Sequence, residues 1–122
     1  MRRRELKSNR ASLMLEAEKC IINTVEKQRI AKSLISMGFA MVDSEHCSGN
    51  GTDIGHVMYE HPETRSTVIF SVVHGASYSH DFISCASGEH RYKTIELWNK
   101  KHRLNSQKVL NKLERYLRRA PR

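Results

Sequence analysis

The centre of the chain carries a pattern that is typical of a β-hairpin. Two runs rich in β-branched and aromatic residues, 54–63 and 66–75, are separated by a short polar connection, and Pro62 lies where the first run ends. Such residues favour strands, whereas proline is poorly suited to a strand interior. The pattern predicts two antiparallel strands, with His56 early in the first and His74 at the end of the second. Because side chains alternate along a strand, His56 lies either at the edge of an apolar face or on the opposite, exposed face.

The segments before and after this hairpin predict helices. Residues 1–37 contain no Gly and no Pro and are dominated by good helix formers. A sequence resembling a capping box at 23–26 permits a break there, followed by a second helix that Gly38 would end. Near the end of the chain, Asn105 or Ser106 can cap a final helix, because apolar residues then recur at helical spacing.

Further strands are predicted on both sides of the hairpin. Residues 39–43 form a short first strand, and the turn-rich segment 44–53 connects it to the hairpin. Residues 81–86 predict a fourth strand. Residues 91–97 form either a fifth strand or the start of a helix.

These elements together predict an α+β fold with a central antiparallel sheet of three to five strands, packed on one side by helices. The core order is helix, strand, strand, strand, helix. Residues 1–24 would form an N-terminal basic helical arm, and residues 25–122 a single α+β domain.

Composition restricts the class of protein. A hydrophobic content of 39% beside 28% charged residues is typical of a globular domain, and no apolar run is long enough to predict a membrane-spanning helix. The basic start of the chain is not followed by the apolar segment of a secretory signal, so a cytoplasmic location is expected. The three cysteines are far apart and odd in number, which suits reduced thiols. Because they form no Cys-x-x-Cys pair, no structural zinc site and no cofactor are predicted.

The charge is distributed unevenly along the chain. Residues 1–32 carry nine Lys and Arg against four acidic residues, residues 33–88 carry one against six, and residues 89–122 carry eleven against three. Attraction to a polyanion would therefore come from the two ends of the chain. The candidate nucleic-acid-binding residues are the basic residues of the first and last helices: Arg2, Arg3, Arg4, Lys108, Lys112, Arg115, Arg118 and Arg119. Plain solvated helices are the alternative explanation of these charges.

A set of motifs in the middle of the chain resembles a known family. The order is Gly38-Phe39, a turn rich in Gly, Ser and Asn, Gly55-His56-Val57-Met58-Tyr59-Glu60-His61-Pro62-Glu63, and a β-branched strand ending in His74-Gly75. This order resembles that of the HicA-type mRNA interferase toxins. Their fold is similar to that of double-stranded-RNA-binding domains, and a histidine on their second strand serves RNA cleavage. The resemblance implies that His56 is the catalytic histidine, although Ile54-Gly55 replaces the family's usual Gly-Ser and residues 76–104 have no counterpart.

Cleavage of RNA without a metal requires a base for the 2′-hydroxyl proton and an acid for the leaving oxygen. Histidine suits both tasks because its pKa lies close to neutrality. The resemblance therefore predicts a metal-independent endoribonuclease that uses His56, with His74 or His61 as its partner. Cations of the last helix would stabilise the charge that develops on phosphorus.

Two other functions stay open at this point. The first is a metal-dependent nuclease with ligands drawn from Asp53, His56, Glu60 and Asp81, although Asp53 and His56 face different directions across a strand. The second is a non-catalytic accessory or inhibitor protein of a phage or mobile element that binds nucleic acid or a nucleoprotein. The expected partners are RNA and either an antitoxin-like protein or another protein complex, with no membrane.

Overall fold

A computed structural model describes residues 3–88 and 94–119, with the side chains of residues 3–8 and of Arg119 outside this description. The elements are α1 (Arg3–Ile21), α2 (Val25–Ser36), β1 (Ala40–Gly49), β2 (Thr52–Glu60), β3 (Thr67–His74), β4 (Ser79–Ala86), β5 (Ile95–Asn99) and α3 (Ser106–Arg119). The five strands form one antiparallel sheet in the order β1-β2-β3-β4-β5. The predicted α+β class with a central antiparallel sheet is confirmed.

The predicted central hairpin is present as β2 and β3. Its register pairs Asp53 with His74 at one end and Glu60 with Thr67 at the other. The turn that contains Pro62 joins the two strands, so proline lies outside the ladder of backbone hydrogen bonds.

The first strand is longer than predicted. Residues 44–49 continue β1, and the prediction of a turn-rich connection over them is wrong. The actual connection is a tight turn at Asn50 and Gly51, where φ is 53° and 77°. Asn and Gly are the residues that tolerate positive φ in two-residue hairpin turns. The segment was predicted as a loop because it is rich in Ser and Gly. In the structure, its side chains point alternately to the two faces of the sheet, as in a strand.

The two N-terminal helices meet at the predicted break. Thr24 caps α2, because its Oγ1 accepts a hydrogen bond from the backbone N–H of Lys27 at 3.2 Å. Gly38, with φ of 98°, follows the end of α2 as expected. Beyond the helices, the predicted fourth strand is confirmed as β4. The segment 91–97, left open between strand and helix, overlaps the strand β5, whereas its residues 91–93 lie outside the described part of the chain.

One hydrophobic core joins all three helices to one face of the sheet. Helices α1 and α2 contribute Ile21, Ile30 and Leu34, and α3 contributes Val109 and Leu113. The inward strand residues are Val57, Tyr59, Val68, Phe70, Val72, Ile83 and Cys85. Because alternate residues point to opposite faces, the intervening strand positions form a second face that no helix of the described chain covers. We call these the helix-covered face and the open face.

The helix predicted as a basic arm takes part in this core. Ala17 and Ile21 of α1 are buried, and the Tyr59 hydroxyl donates a hydrogen bond to Glu18 Oε2 at 3.0 Å. Burial, reinforced by the Glu18 carboxylate, raises the pKa of Tyr59. The last turns of α1 are thereby attached to β2. Within the described residues, no helix has the length and apolar character needed to cross a membrane.

The packing of α1 on β2 leads to a first prediction, at Gly55. A Cβ atom at this position would lie 2.7 Å from Glu45 O and 2.7 Å from Ile21 Cδ1. The carbonyl belongs to the paired strand β1 and cannot move without disturbing the ladder. We expect Gly55→Ala to lower the free energy of unfolding by about 1–3 kcal/mol, measured by urea denaturation.

Gly49→Ala is the matched control for this substitution. No heavy atom lies within 4 Å of a Cβ built at Gly49. Its effect should stay within about 0.5 kcal/mol, the usual range for open surface positions. Equal effects of the two substitutions would contradict the close packing of α1 on β2.

Candidate functional site

A groove between β5 and α3 collects the basic side chains of the C-terminal region. Its volume is about 510 Å³. It is lined by Leu97, Trp98, His102, Arg103, Asn105, Lys108, Val109, Asn111, Lys112 and Arg115, which we call the basic groove. Among the residues that the structure describes, no Asp or Glu lines it. The groove therefore combines cationic donors with one large aromatic side chain.

Helical spacing places the cations of α3 on one side of the helix. Lys108, Lys112 and Arg115 follow one another at intervals of four and three residues, so they lie along one face. Val109 and Leu113 occupy the buried face of the same helix. Asn105 starts the helix, since its Oδ1 accepts a hydrogen bond from the Lys108 N–H at 3.1 Å. The last helix thus turns its apolar stripe to the core and its cations to the groove.

Trp98 is held in place by the loop that follows β5. Its indole Nε1–H donates a hydrogen bond to the carbonyl oxygen of His102 at 2.9 Å. The side chain is half-buried and packs against the hydrophobic core. This bond fixes both the indole and the loop that brings His102 and Arg103 to the groove.

A second groove, of about 560 Å³, lies between α2 and the start of α3. Glu26 occupies the N-terminus of α3 here, because its Oε2 accepts a hydrogen bond from the Ser106 N–H at 2.7 Å. That bond lowers the pKa of Glu26 and keeps the carboxylate charged. A carboxylate already fills the position that a phosphate would take at a helix N-terminus. This groove is therefore less suited to a polyanion than the basic groove.

His56, the histidine implied as catalytic, lies on the open face. Its Nε2 is 2.8 Å from Asp43 Oδ2, and its side chain is 31% exposed. Its cross-strand neighbour on β1 is Glu45, and on β3 it is Ser71. The ring is accessible, but its charged neighbours in the described sheet are carboxylates.

His74 lies on the other face of the sheet. It is paired with Asp53, and its Nδ1 is 4.0 Å from Asp53 Oδ2. His46 Nε2 contacts the other oxygen of the same carboxylate. The structure therefore groups His74 with Asp53 and His46 and separates it from His56. In the described chain, His74 Nε2 is a buried ring nitrogen without a hydrogen-bond partner.

His61, the other predicted partner of His56, stabilises a turn. Its Nδ1 accepts hydrogen bonds from the backbone N–H groups of Glu63 and Thr64, at 3.3 and 3.4 Å. Its ring packs edge-on against Phe39 with centroids 5.4 Å apart. Neither candidate histidine thus joins His56 in one site.

The residues considered as metal ligands are divided between the two faces. His56 and Glu60 belong to the open face, whereas Asp53 and Asp81 point to the helix-covered face. Asp81 is bound by Lys27 at 2.9 Å. Within the described ranges, no group of three or more His, Cys, Asp and Glu could hold a metal ion.

The predicted nucleic-acid-binding residues have different placements. Lys108, Lys112 and Arg115 come together in the basic groove, whereas Arg118 is exposed and lies 3.7 Å from Glu114. Arg2 is outside the described residues, and the side chains of Arg3, Arg4 and Arg119 are not described. Trp98, His102 and Arg103 complete the groove but were not predicted. The run Lys-Lys-His-Arg at 100–103, which begins two residues after Trp98, was the signal that could have identified them.

The buried thiol of Cys85, which lies near Lys112, leads to a second prediction. Burial raises the pKa of the Cys85 thiol to about 12, and the nearby Lys112 ammonium opposes that rise. Cys20 and Cys47 are exposed. At pH 8, a thiol reagent should modify two cysteines rapidly and the third only after denaturation, because thiolate and access are both needed. Rapid modification of all three in the folded protein would contradict the burial of Cys85 in the hydrophobic core.

Comparisons with known proteins yield no relative: no family model matches the chain, and no curated protein or solved structure is significantly similar. The geometry of the described residues therefore carries the functional argument.

Proposed function

We propose that this protein binds RNA through the basic groove and does not cleave it. The observation that carries the proposal is that Arg103, Lys108, Lys112 and Arg115 line one groove together with Trp98, without a carboxylate in the described lining. Lys and Arg attract the phosphate backbone, and an aromatic side chain beside them offers a surface for a base. The choice of RNA over DNA rests on the resemblance to the interferase toxins and their RNA-binding fold.

The surroundings of His56 favour a non-catalytic role. Asp43 contacts the imidazole, and Glu45 is its cross-strand neighbour. Carboxylates at this position repel a phosphodiester and would not stabilise the charge that develops on phosphorus. The cations that a cleavage mechanism needs line a groove on the side of the helices instead. The proposal is therefore an accessory or inhibitor protein acting on RNA or a ribonucleoprotein in the cytoplasm.

Cleavage of the interferase type is the second candidate. The 2.8 Å contact between His56 Nε2 and Asp43 Oδ2 favours it, since a carboxylate can orient an imidazole that works as a base. RNA would then have to extend from the basic groove around the sheet to the open face. An antitoxin-like partner would accompany this function.

Incubation of the purified full chain with labelled single-stranded RNA separates the candidates. Three samples are compared: wild type, His56→Ala, and His80→Ala as a control from the same face of the sheet. We expect salt-dependent binding and intact RNA in all three, with or without chelator. Cleavage that resists chelator and is lost only in His56→Ala would establish the second candidate. Chelator-sensitive cleavage, or absence of binding at low salt, would overturn both.

A further inference from the structure

The open face has an apolar centre that the described chain leaves uncovered. The strand register assigns its members, apart from the irregular positions in β1 and between β4 and β5. Ile54 on this face is 49% exposed. The apolar residues of the central strands on this face are Ile54, Met58, Ile69, Val73 and Phe82. Of these five, Ile54 is exposed and the other four are half-buried, and the cross-strand pair His56 and Ser71 lies between the Ile54–Val73 pair and the Met58–Ile69 pair. Apolar side chains that the rest of the chain leaves uncovered mark an interaction site.

Carboxylates border this apolar centre at both edges of the sheet. Asp43 and Glu45 are on edge strand β1, Glu96 is on edge strand β5, and Glu60 closes one end. The register positions of the described strands on this face include no Lys or Arg. Arg65 reaches it from the turn and binds Glu60 at 3.0 Å. The net sign of the face is negative, although the protein as a whole carries +8.

We propose that the open face binds an amphipathic helix of another protein, whose apolar stripe is bordered on both sides by Lys or Arg. Neighbouring strands are about 4.8 Å apart, so β2 to β4 give an apolar strip about 10 Å wide. That width matches the diameter of one helix. Cations along its two sides would meet Asp43 and Glu45 on one edge and Glu96 on the other.

The same charges disfavour other occupants. Two copies of this chain joined by their open faces would bring carboxylate borders together, which repel each other. RNA is repelled for the same reason. The proposed partner is therefore a cationic protein segment. This inference uses none of the groove residues and does not depend on RNA binding.

A synthetic peptide tests the proposal on the full chain. The probe is a labelled 18-residue helix with a Leu stripe flanked by Lys, and the control peptide carries uncharged Gln in place of Lys. Fluorescence anisotropy should show clearly tighter binding of the Lys peptide than of the Gln peptide. Glu45→Gln with Glu96→Gln should weaken binding about tenfold, because both edges of the face lose charge. Glu63→Gln with Glu114→Gln removes the same charge from exposed positions elsewhere, in the β2–β3 turn and on α3, and should change affinity less than about twofold.

A second substitution separates the apolar contribution from the charge. Ile54→Ser alters an exposed position, so the fold should persist, and the affinity for the Lys peptide should also fall. Equal loss in both glutamate pairs, or equal binding of the two peptides, would overturn the proposal. Self-association that disappears in Ile54→Ser would overturn it in favour of a second copy. RNA binding that is lost in Ile54→Ser would overturn it in favour of RNA on the open face.

Discussion

Replacement of Lys108, Lys112 and Arg115 by Gln should lower the affinity for single-stranded RNA about a hundredfold at about 0.1 M salt. Each phosphate contact on single strands changes the logarithm of the binding constant by about 0.7 per tenfold change in salt. Three contacts therefore correspond to about two logarithmic units, and the salt slope should decrease by about 2. Filter binding or anisotropy from 0.05 to 0.3 M salt measures both quantities. Glutamine keeps the length of the side chains and removes the charge.

The matched control removes three charges outside the basic groove. Arg10, Lys19 and Lys32 are exposed on α1 and α2, and none of them lines the groove. Their triple replacement by Gln produces the same change in net charge. Its effect should remain below about tenfold, because long-range charge is screened within about 10 Å at this ionic strength. Similar losses in the two triple variants would show that net charge, and not the groove, attracts RNA.

Asp81→Asn should lower the free energy of unfolding by about 3 kcal/mol, a large fraction of the total for a domain of this size. The ammonium group of Lys27 is bound by both oxygens of Asp81, at 2.9 and 3.0 Å, and by the carbonyl oxygen of Ile21 at 3.3 Å. The Lys27 side chain is only 4% exposed, and that of Asp81 is 18% exposed. Loss of the carboxylate leaves a buried cation without a counter-charge. Urea denaturation at pH 7 measures the effect.

Removal of the Lys27 ammonium should lower the free energy of unfolding less than removal of the Asp81 carboxylate. Lys27→Met eliminates the buried cation, keeps an apolar stem of similar size, and leaves a carboxylate that water can reach. We therefore expect Lys27→Met to be less destabilising than Asp81→Asn, and the double variant to be more stable than Asp81→Asn alone. Equal effects of the two single substitutions, with additive behaviour in the double variant, would contradict a buried ion pair.

The elements that could be predicted are those that local sequence specifies. The helix break at 23–26, the helix end at Gly38 and the hairpin of β2 and β3 depend on residues close to one another along the chain, although the predicted capping box begins at Asn23 and the observed cap is Thr24. Hydrophobic periodicity likewise identified α3, because its apolar stripe repeats within fourteen residues. The extent of β1 was missed because Ser, Asn and Gly occur both in turns and in exposed strands, and pairing with β2 decides between them.

The candidate sites depended on contacts between distant residues. His56 and His74 are both on the predicted hairpin, yet the register places them on opposite faces and brings His74 to Asp53. A shift of the β2–β3 pairing register by one residue would turn the side chains of one strand to the opposite face and separate His74 from Asp53. Similarly, Lys27 and Asp81 meet across 54 residues, and β5 meets α3 only in the folded chain.

The amino-acid sequence alone was sufficient for the class of fold, the positions of the helices and the concentration of positive charge near the two ends. The three-dimensional fold was needed to show which cations line a groove with Trp98, which histidine lies beside which carboxylate, and that one face of the sheet carries carboxylates and is not covered by a helix. Helix caps and turns are specified by residues that are neighbours along the chain. Strand register and the packing of α3 on β5 are set by long-range burial, which periodicity does not encode.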